Sequence, residues 1–223
     1  MSGQQPGLKL RIAKVPQWCS LRRSSVGMEP VQLIQFLQST GLISASQAVE
    51  IACGFAPKTI SRQEFLLRAG TISDAYFFLD SGILRAFAPD ADGNDVTTGF
   101  YSAGQVVFEV SSFFNRTPSP ENIQALTDCS GWFVSYRQLN SLFHGRAEFR
   151  EFGRSLLVRE LMRLKTRLLG LTVETAAARY DALMRASPEL LQHVPLKYVA
   201  SYLGVTDSSL SRIRAAGKGS AAS

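Results

Sequence analysis

Between residues 63 and 136 the chain falls into short apolar segments, and this pattern constrains its fold more than any other feature. "QEFLLRAG", "DAYFFLDSGILRAFAP", "DVTTGFYSAG", "NIQALTD" and "GWFVSY" are rich in Phe, Leu, Ile, Val and Tyr, and Gly, Pro, Asp or Asn breaks them at intervals of about ten residues. Short strands at regular spacing cannot bury an apolar face singly and must close into a sandwich or barrel. "DSG" and "DADGND" are the sharpest turns, because Gly82, Gly93 and Asn94 tolerate positive φ. The flanks have helical periodicity instead. Val31, Ile34, Phe36 and Leu37 recur at near-helical spacing, and "SASQAVEIACGF" forms a second short helix. After Tyr136 the chain reads as helix throughout. The expected fold class is α+β: an antiparallel β-roll of jelly-roll type, a long helix, and an all-helical C-terminal part.

In "AEFREFGRSLLVRELMRLKTRLLGLT", Leu157, Leu161, Leu164, Leu168 and Leu171 are spaced 4, 3, 4, 3, the a/d seam of a coiled coil. Arg159, Glu160, Arg163 and Lys165 lie off the seam. Such a helix packs either on its own domain or on a second copy, and a leucine stripe between two domains favours a homodimer. "TVETAAARYDALMRASPELLQHVP" supplies one more amphipathic helix and a Pro-marked turn.

The C-terminal stretch "VPLKYVASYLGVTDSSLSRIRAAGKGSAAS" has the pattern of a helix-turn-helix. Leu196, Val199, Ala200 and Leu203 share one face of a helix starting at Pro195. Gly204 makes the turn, Val205 closes it, and small Ala200 lets the helices cross. Thr206 can cap the second helix, whose Leu210 and Ile213 point inward. On the opposite side Ser208, Ser211, Arg212 and Ala215 fall within about 60° of each other. Arg can grip guanine and Ser can donate or accept, so this face suits the major groove of double-stranded DNA. Asp207 favours the helix N-terminus but repels phosphate. Lys197 is a candidate phosphate contact.

Charge agrees with this placement. Residues 1–28 carry +5, residues 29–145 carry −5 and residues 146–223 carry +6. A basic end beside an acidic body implies a polyanionic partner for one part only. Cys19, Cys53 and Cys129 form no C-x-x-C pair and are expected to be reduced thiols in a cytoplasmic protein. No run of about eighteen apolar residues spans a membrane. His144 and His193 read as helix-end residues, so no metal site, haem ligand or catalytic set is expected, and the chain is not expected to be an enzyme.

Acidic β-domain, leucine-seamed helix and C-terminal helix-turn-helix, in that order, resemble the Crp/Fnr family of bacterial transcription regulators over residues 30–216. "NIQAL" after "TPSPE", with "VPLKYVASYLGVT" and "LSRIR", is similar to a subgroup common in Bacteroidetes-type genomes. The resemblance implies a cyclic-nucleotide-binding-like β-roll, a homodimer through the long helix, and Ser211 and Arg212 late in the recognition helix. Family members often have Glu at the position of Ser208, and some have Arg at Asp207, so the resemblance carries over the mode of binding and not the target sequence. Only "GKGSAAS" follows Ala216, which is too short for the paired strands of a wing.

Family members that bind cyclic AMP hold the ribose with the Glu of a Gly-Glu pair and the phosphate with a later Arg-Ser/Thr. Here Gly104 is followed by Gln105, and Ser119-Pro120 stands where the Arg-Ser pair would be. A buried phosphate without Arg is poorly neutralised, and Arg116 is three residues out of place. The candidate effector pocket is therefore Gly104, Gln105, Phe108, Arg116, Ser119 and Asn122, with no resident cofactor and a small-molecule effector other than cyclic AMP. The expected organisation is a basic extension (1–28), a sensor domain (29–145), a dimerisation helix (146–171), a helix-turn-helix domain (172–216) and a flexible tail (217–223). The expected function is a homodimeric, sequence-specific transcription regulator. The alternative is a ligand-sensing or protein-interaction module of the same fold that does not bind DNA.

Overall fold

The structure is a computed structural model that describes residues 29–220, with side chains to Ala216. The basic extension and Cys19 lie outside the described residues. Two short helices open the fold, α1 (Val31–Gln38) and α2 (Ala45–Ala52), the second started by a capping box between Ser44 and Gln47. Eight strands follow: β1 (Ala56–Ile60), β2 (Phe65–Leu67), β3 (Ala75–Ser81), β4 (Leu84–Pro89), β5 (Asp95–Tyr101), β6 (Gln105–Val107), β7 (Asn122–Ala125) and β8 (Cys129–Ser135). They form two antiparallel four-stranded sheets, ordered β1-β8-β3-β6 and β2-β7-β4-β5.

The β-roll is closed by a core between the sheets, where Ile60, Phe77, Leu79, Leu84, Val107 and Ile123 are buried. The opposite face of β3 is covered as well. Tyr76 and Phe78 pack with Leu33, Leu37, Ile51, Trp132, Phe149 and Phe152, a second core shared by both opening helices and the long helix. A strand buried on both faces needs an unbroken apolar run, and "AYFFL" provides it.

A one-turn helix, α3 (Val110–Asn115), interrupts the strands between β6 and β7. α4 (Tyr136–Gly145) starts at a Ser135–Gln138 capping box and turns into the long helix α5 (Ala147–Val173). That corner is tight: a Cβ on Gly153 would stand 2.3 Å from the Phe143 ring. Then come α6 (Ala176–Ala186), α7 (Leu190–His193), α8 (Leu196–Leu203) and α9 (Asp207–Ser220). Their core is joined to the outer face of the β-roll: Ile83 and Phe100 are buried together with Leu190, Val194, Val199, Ala200, Leu203 and Leu210.

Six details depart from the sequence reading. β1, β6 and α3 were not anticipated, because "APKTI", "QVV" and "VSSFFN" are short and lack a clear period. The long helix spans 147–173 and not 146–171, since Thr175 begins the next helix by capping the Ala178 amide. α9 continues helical through Ser220, so the expected tail from 217 is in part helix. Cys129 is a free, buried thiol, whereas Cys53 is disulfide-bonded, a pairing that sequence spacing does not reveal.

Gly131 shows how tightly β8 fits its neighbour. It pairs with Leu79 of β3, and a Cβ there would lie 2.1 Å from the Phe78 carbonyl oxygen and 2.6 Å from the Phe77 ring. Gly131→Ala should destabilise the domain by at least about 1–3 kcal/mol through overpacking. The measurement is urea unfolding followed by tryptophan fluorescence; an unchanged midpoint would contradict the fit.

Candidate functional site

Two places in this fold are candidate sites: α8 and α9 with the turn between them, and the β-roll beside α3. In the first, Gly204 ends α8 in the left-handed conformation at φ +68, with its N–H turned back to the Ala200 and Ser201 carbonyls. Val205 donates to Ala200, which closes the turn. The Thr206 hydroxyl accepts from the Ser209 amide and caps α9. Arg179 of α6 donates to the Leu203 carbonyl at 2.9 Å and satisfies one end of α8. Val199, Ala200, Leu203 and Leu210 are buried, while Thr206, Asp207, Ser208, Ser211, Arg212 and Ala215 are exposed. The face read from the sequence is thus one solvent-facing stripe. Its guanidinium rests on the helix, since Arg212 donates to the Ser208 carbonyl and the Ser209 hydroxyl at 3.4 and 3.3 Å. Lys197 is exposed on α8, with Nζ 5.1 Å from the Tyr198 ring.

The six pocket candidates each have partners of their own. Gln105 uses its side-chain oxygen to accept from the Ser102 amide, and Gly104 holds φ +83 in the same turn. Phe108 stacks among Tyr76, Phe113 and Phe114. Arg116, itself at φ +56, pairs with Asp74 at 3.0 Å, donates to the Ser73 carbonyl at 2.8 Å and lies over the Tyr136 ring. Ser119 is buried and donates to the Glu121 carbonyl at 2.7 Å. Asn122 accepts from the Ala69 amide. These contacts tie loops together, and the guanidinium nearest the sequence position of a phosphate ligand already has an acid partner.

The structure brings forward different residues. Glu109 caps α3 by accepting from the Ser111 and Ser112 amides. Glu121 accepts a 2.5 Å hydrogen bond from the Thr98 hydroxyl. Tyr101 lies within electrostatic reach of Glu121 and Glu109 and of Glu160 and Arg163 on α5. Burial pushes the Glu121 carboxyl up, an effect that Glu109 adds to and that Thr98 and Arg167 oppose. Burial likewise raises the Tyr101 phenol. Acidic side chains thus stand beside the loop where the resemblance would require a cation. Sequence alone did not single out Glu109 and Glu121, although they stand next to the candidates Phe108 and Asn122, because their partners are set by folding and not by a motif.

The long helix carries its leucines outward. Leu157, Leu161, Leu164, Leu168 and Leu171 are 41–67% exposed, joined by Val158, Met162 and Leu169.

Residues 57–146 match the cyclic nucleotide-binding domain family. No curated protein matches the chain in sequence. Among solved structures, FixK2 from Bradyrhizobium japonicum superposes with a TM-score of 0.65 at 15% identity, over 75% of this chain and 86% of that one. A CooA mutant from Carboxydothermus hydrogenoformans gives 0.59 at 20% identity, over 76% and 79%. CLP, a c-di-GMP responsive global regulator from Xanthomonas campestris, gives 0.58 at 16% identity, over 80% and 93%. No helix among the described residues is long and apolar enough to cross a membrane.

The Glu121 environment has a pH signature. A carboxyl whose folded value lies above its unfolded one favours the folded state at low pH, and that advantage is lost as pH rises through the raised value. Stability should therefore fall as pH climbs out of the ordinary carboxylate range near about 4. Glu121→Gln, which keeps an acceptor for Thr98, should flatten that part of the curve. Thermal unfolding of both proteins across pH 4–8 checks it, and identical profiles would contradict it. Residues 57–146 are thus similar to the cyclic nucleotide-binding domain family, and the fold is an antiparallel jelly-roll that a long helix and further helices follow.

Proposed function

We propose that the chain is a homodimeric, sequence-specific DNA-binding transcription regulator of the Crp/Fnr type. It acts in the cytoplasm, is not an enzyme, and answers to a small-molecule effector in the β-roll other than cyclic AMP. The observation that carries the reading is the pairing of two exposed surfaces on one rigid chain. One is the Ser208–Ser211–Arg212 face of a capped α9, and the other is the leucine stripe of α5. An apolar stripe of this length on a soluble surface is a standing interface, and a second α5 is its simplest complement. Two copies would then present two recognition helices about 34 Å apart to an inverted repeat. The order of parts agrees with the neighbours above, which supports the reading at the level of fold.

In this reading Arg212 reads a base, Ser208 and Ser211 contribute hydrogen bonds, Thr206 and Asp207 sit at the helix start, and Lys197 attracts phosphate. The occupied Arg116 and the acidic Glu121 support an effector without a buried cyclic phosphate.

Selection of bound fragments from a random DNA pool is the decisive experiment. A palindromic motif is the expected result, and no enriched motif would leave the module that does not bind DNA. Light scattering should give twice 24.4 kDa, and Leu161→Glu should halve it by placing a charge in the seam. Arg212→Ala should weaken binding to the selected motif by about 1–3 kcal/mol per half-site and relax one base position. Lys197→Ala should weaken all sequences alike and reduce the salt slope by about one unit per half-site. Calorimetry with cyclic AMP should show no binding at low micromolar concentration; a sub-micromolar isotherm would overturn the effector assignment.

A further inference from the structure

The helix-turn-helix is built onto the sensor through a defect in the β4–β5 ladder. Ala86 pairs with Gly99, but the next residue, Phe87, pairs with Thr97, so Thr98 is the extra residue of a β-bulge. A bulge frees backbone groups and re-aims a side chain, and here three groups at the bulge have partners outside the β4–β5 ladder. The Thr98 hydroxyl turns to Glu121 of the β-roll. Its carbonyl accepts from Arg167 of α5. The neighbouring Thr97 amide donates to the Ser201 hydroxyl of α8 at 2.9 Å.

Arg167 completes the junction. Its guanidinium also donates to the Tyr202 carbonyl at 3.4 Å and stacks on the Tyr202 ring at 4.0 Å, while Phe100 packs on that ring from β5 at 5.2 Å. On β4, strand alternation puts Leu84 and Ala86 inside the roll and Arg85 on its outer face. There Arg85 is 1% exposed, bonds the Thr97 hydroxyl at 2.8 Å, and lies 3.7 Å from the Tyr198 ring. The first helix of the DNA-reading unit is thus fixed to the sensor at Tyr198, Ser201 and Tyr202. Meanwhile the reading face of α9 stays exposed.

The geometry points to Arg167 as a positioning residue for DNA recognition: with Ser201 it holds α8 on the Thr97–Thr98 bulge, so that the separation of the two recognition helices in a dimer is set by this seam. The inference rests on the regulator reading above. A hinge after α5 would let each helix-turn-helix adapt to several half-site spacings, whereas a docked α8 permits one. Each base pair added or removed moves a half-site by about 3.4 Å along the axis and rotates it by roughly a tenth of a turn. Because Thr98 also holds Glu121, a ligand that recruits Glu121 acts directly on the same seam.

The test is binding of the full chain to the selected operator and to versions with spacers changed by one or two base pairs. Wild type should lose about tenfold or more in affinity per altered spacer, as expected when the helices cannot follow. Arg167→Met should bind the optimal operator within a few-fold but lose most of that discrimination. Ser201→Ala, a milder change, should fall between them. A folded Arg167→Met with the wild-type spacing profile would overturn the inference, as would a wild type indifferent to spacing. Hydrogen exchange separates this from the DNA reading. The Thr97 amide should be slow in wild type and fast in both variants. If no operator is ever selected, the regulator reading falls, and exchange decides the seam alone: equal Thr97 rates would sink it, while faster exchange in the variants would uphold the docking.

Discussion

A guanidinium without water sits where the two halves of this molecule meet, and their relation follows from how it is held. Burial lowers the Arg85 affinity for its proton, and Asp95 and Tyr198 offset part of that. The group is held by the Thr97 hydroxyl, by the Asp95 carbonyl at 3.4 Å and carboxylate at 3.9 Å, and by the rings of Phe87 and Tyr198. A charge so placed gains little on balance, because lost hydration offsets the contacts made. That makes the seam different from the roll's interior. Opening the interior exposes only hydrocarbon, whereas opening the seam rehydrates Arg85. The C-terminal helices are therefore held specifically, yet at a modest free-energy difference that a binding event on either side of the seam can match.

The remainder of the fold is arranged to make that seam possible. α5 is rooted in the sensor by Phe149 and Phe152, both 1% exposed. Further along it reaches the seam through Arg167, and Gly170 is buried near its end. One rigid element thus carries the sensor core at one end and the seam at the other. Its leucine stripe is exposed, and at its far end Leu171 comes close to the α8 turn, 3.9 Å from where a Cβ on Gly204 would stand.

Much of this was legible because it depends on local rules. Gly204 could be assigned the turn, and Thr206 a cap, from residue type and spacing alone. The leucine stripe follows from periodicity, and the short apolar segments between turn residues announced the β-roll. What sequence could not show depends on pairs distant along the chain. Glu121 and Thr98 are 23 residues apart and Arg167 and Thr98 are 69 apart, and no period links them. No sequence pattern singles out Arg85, and its burial comes with the docking of α8, whose Tyr198 ring it lies over. Arg116 was placed near a ligand by proximity in sequence, but its left-handed backbone turns it toward Asp74. The bulge at Thr98 is invisible in composition, since it is an offset between two strands and not a residue type.

That offset has an evolutionary consequence. The Thr98 carbonyl and the Thr97 amide are supplied by the main chain, so almost any residue could stand at those positions and keep both attachments. Point mutation can tune the outer halves of the contacts, Arg167 and Ser201, while the main-chain halves persist. A single-residue deletion in β5 would do what no substitution can. It would remove the extra residue, re-aim both main-chain groups, and weaken the hold on α8, leaving the apolar contacts of Ile83 and Phe100. Lineages descended from such a chain would be expected to vary freely in the side chains around the seam and to conserve the length of the β4–β5 hairpin.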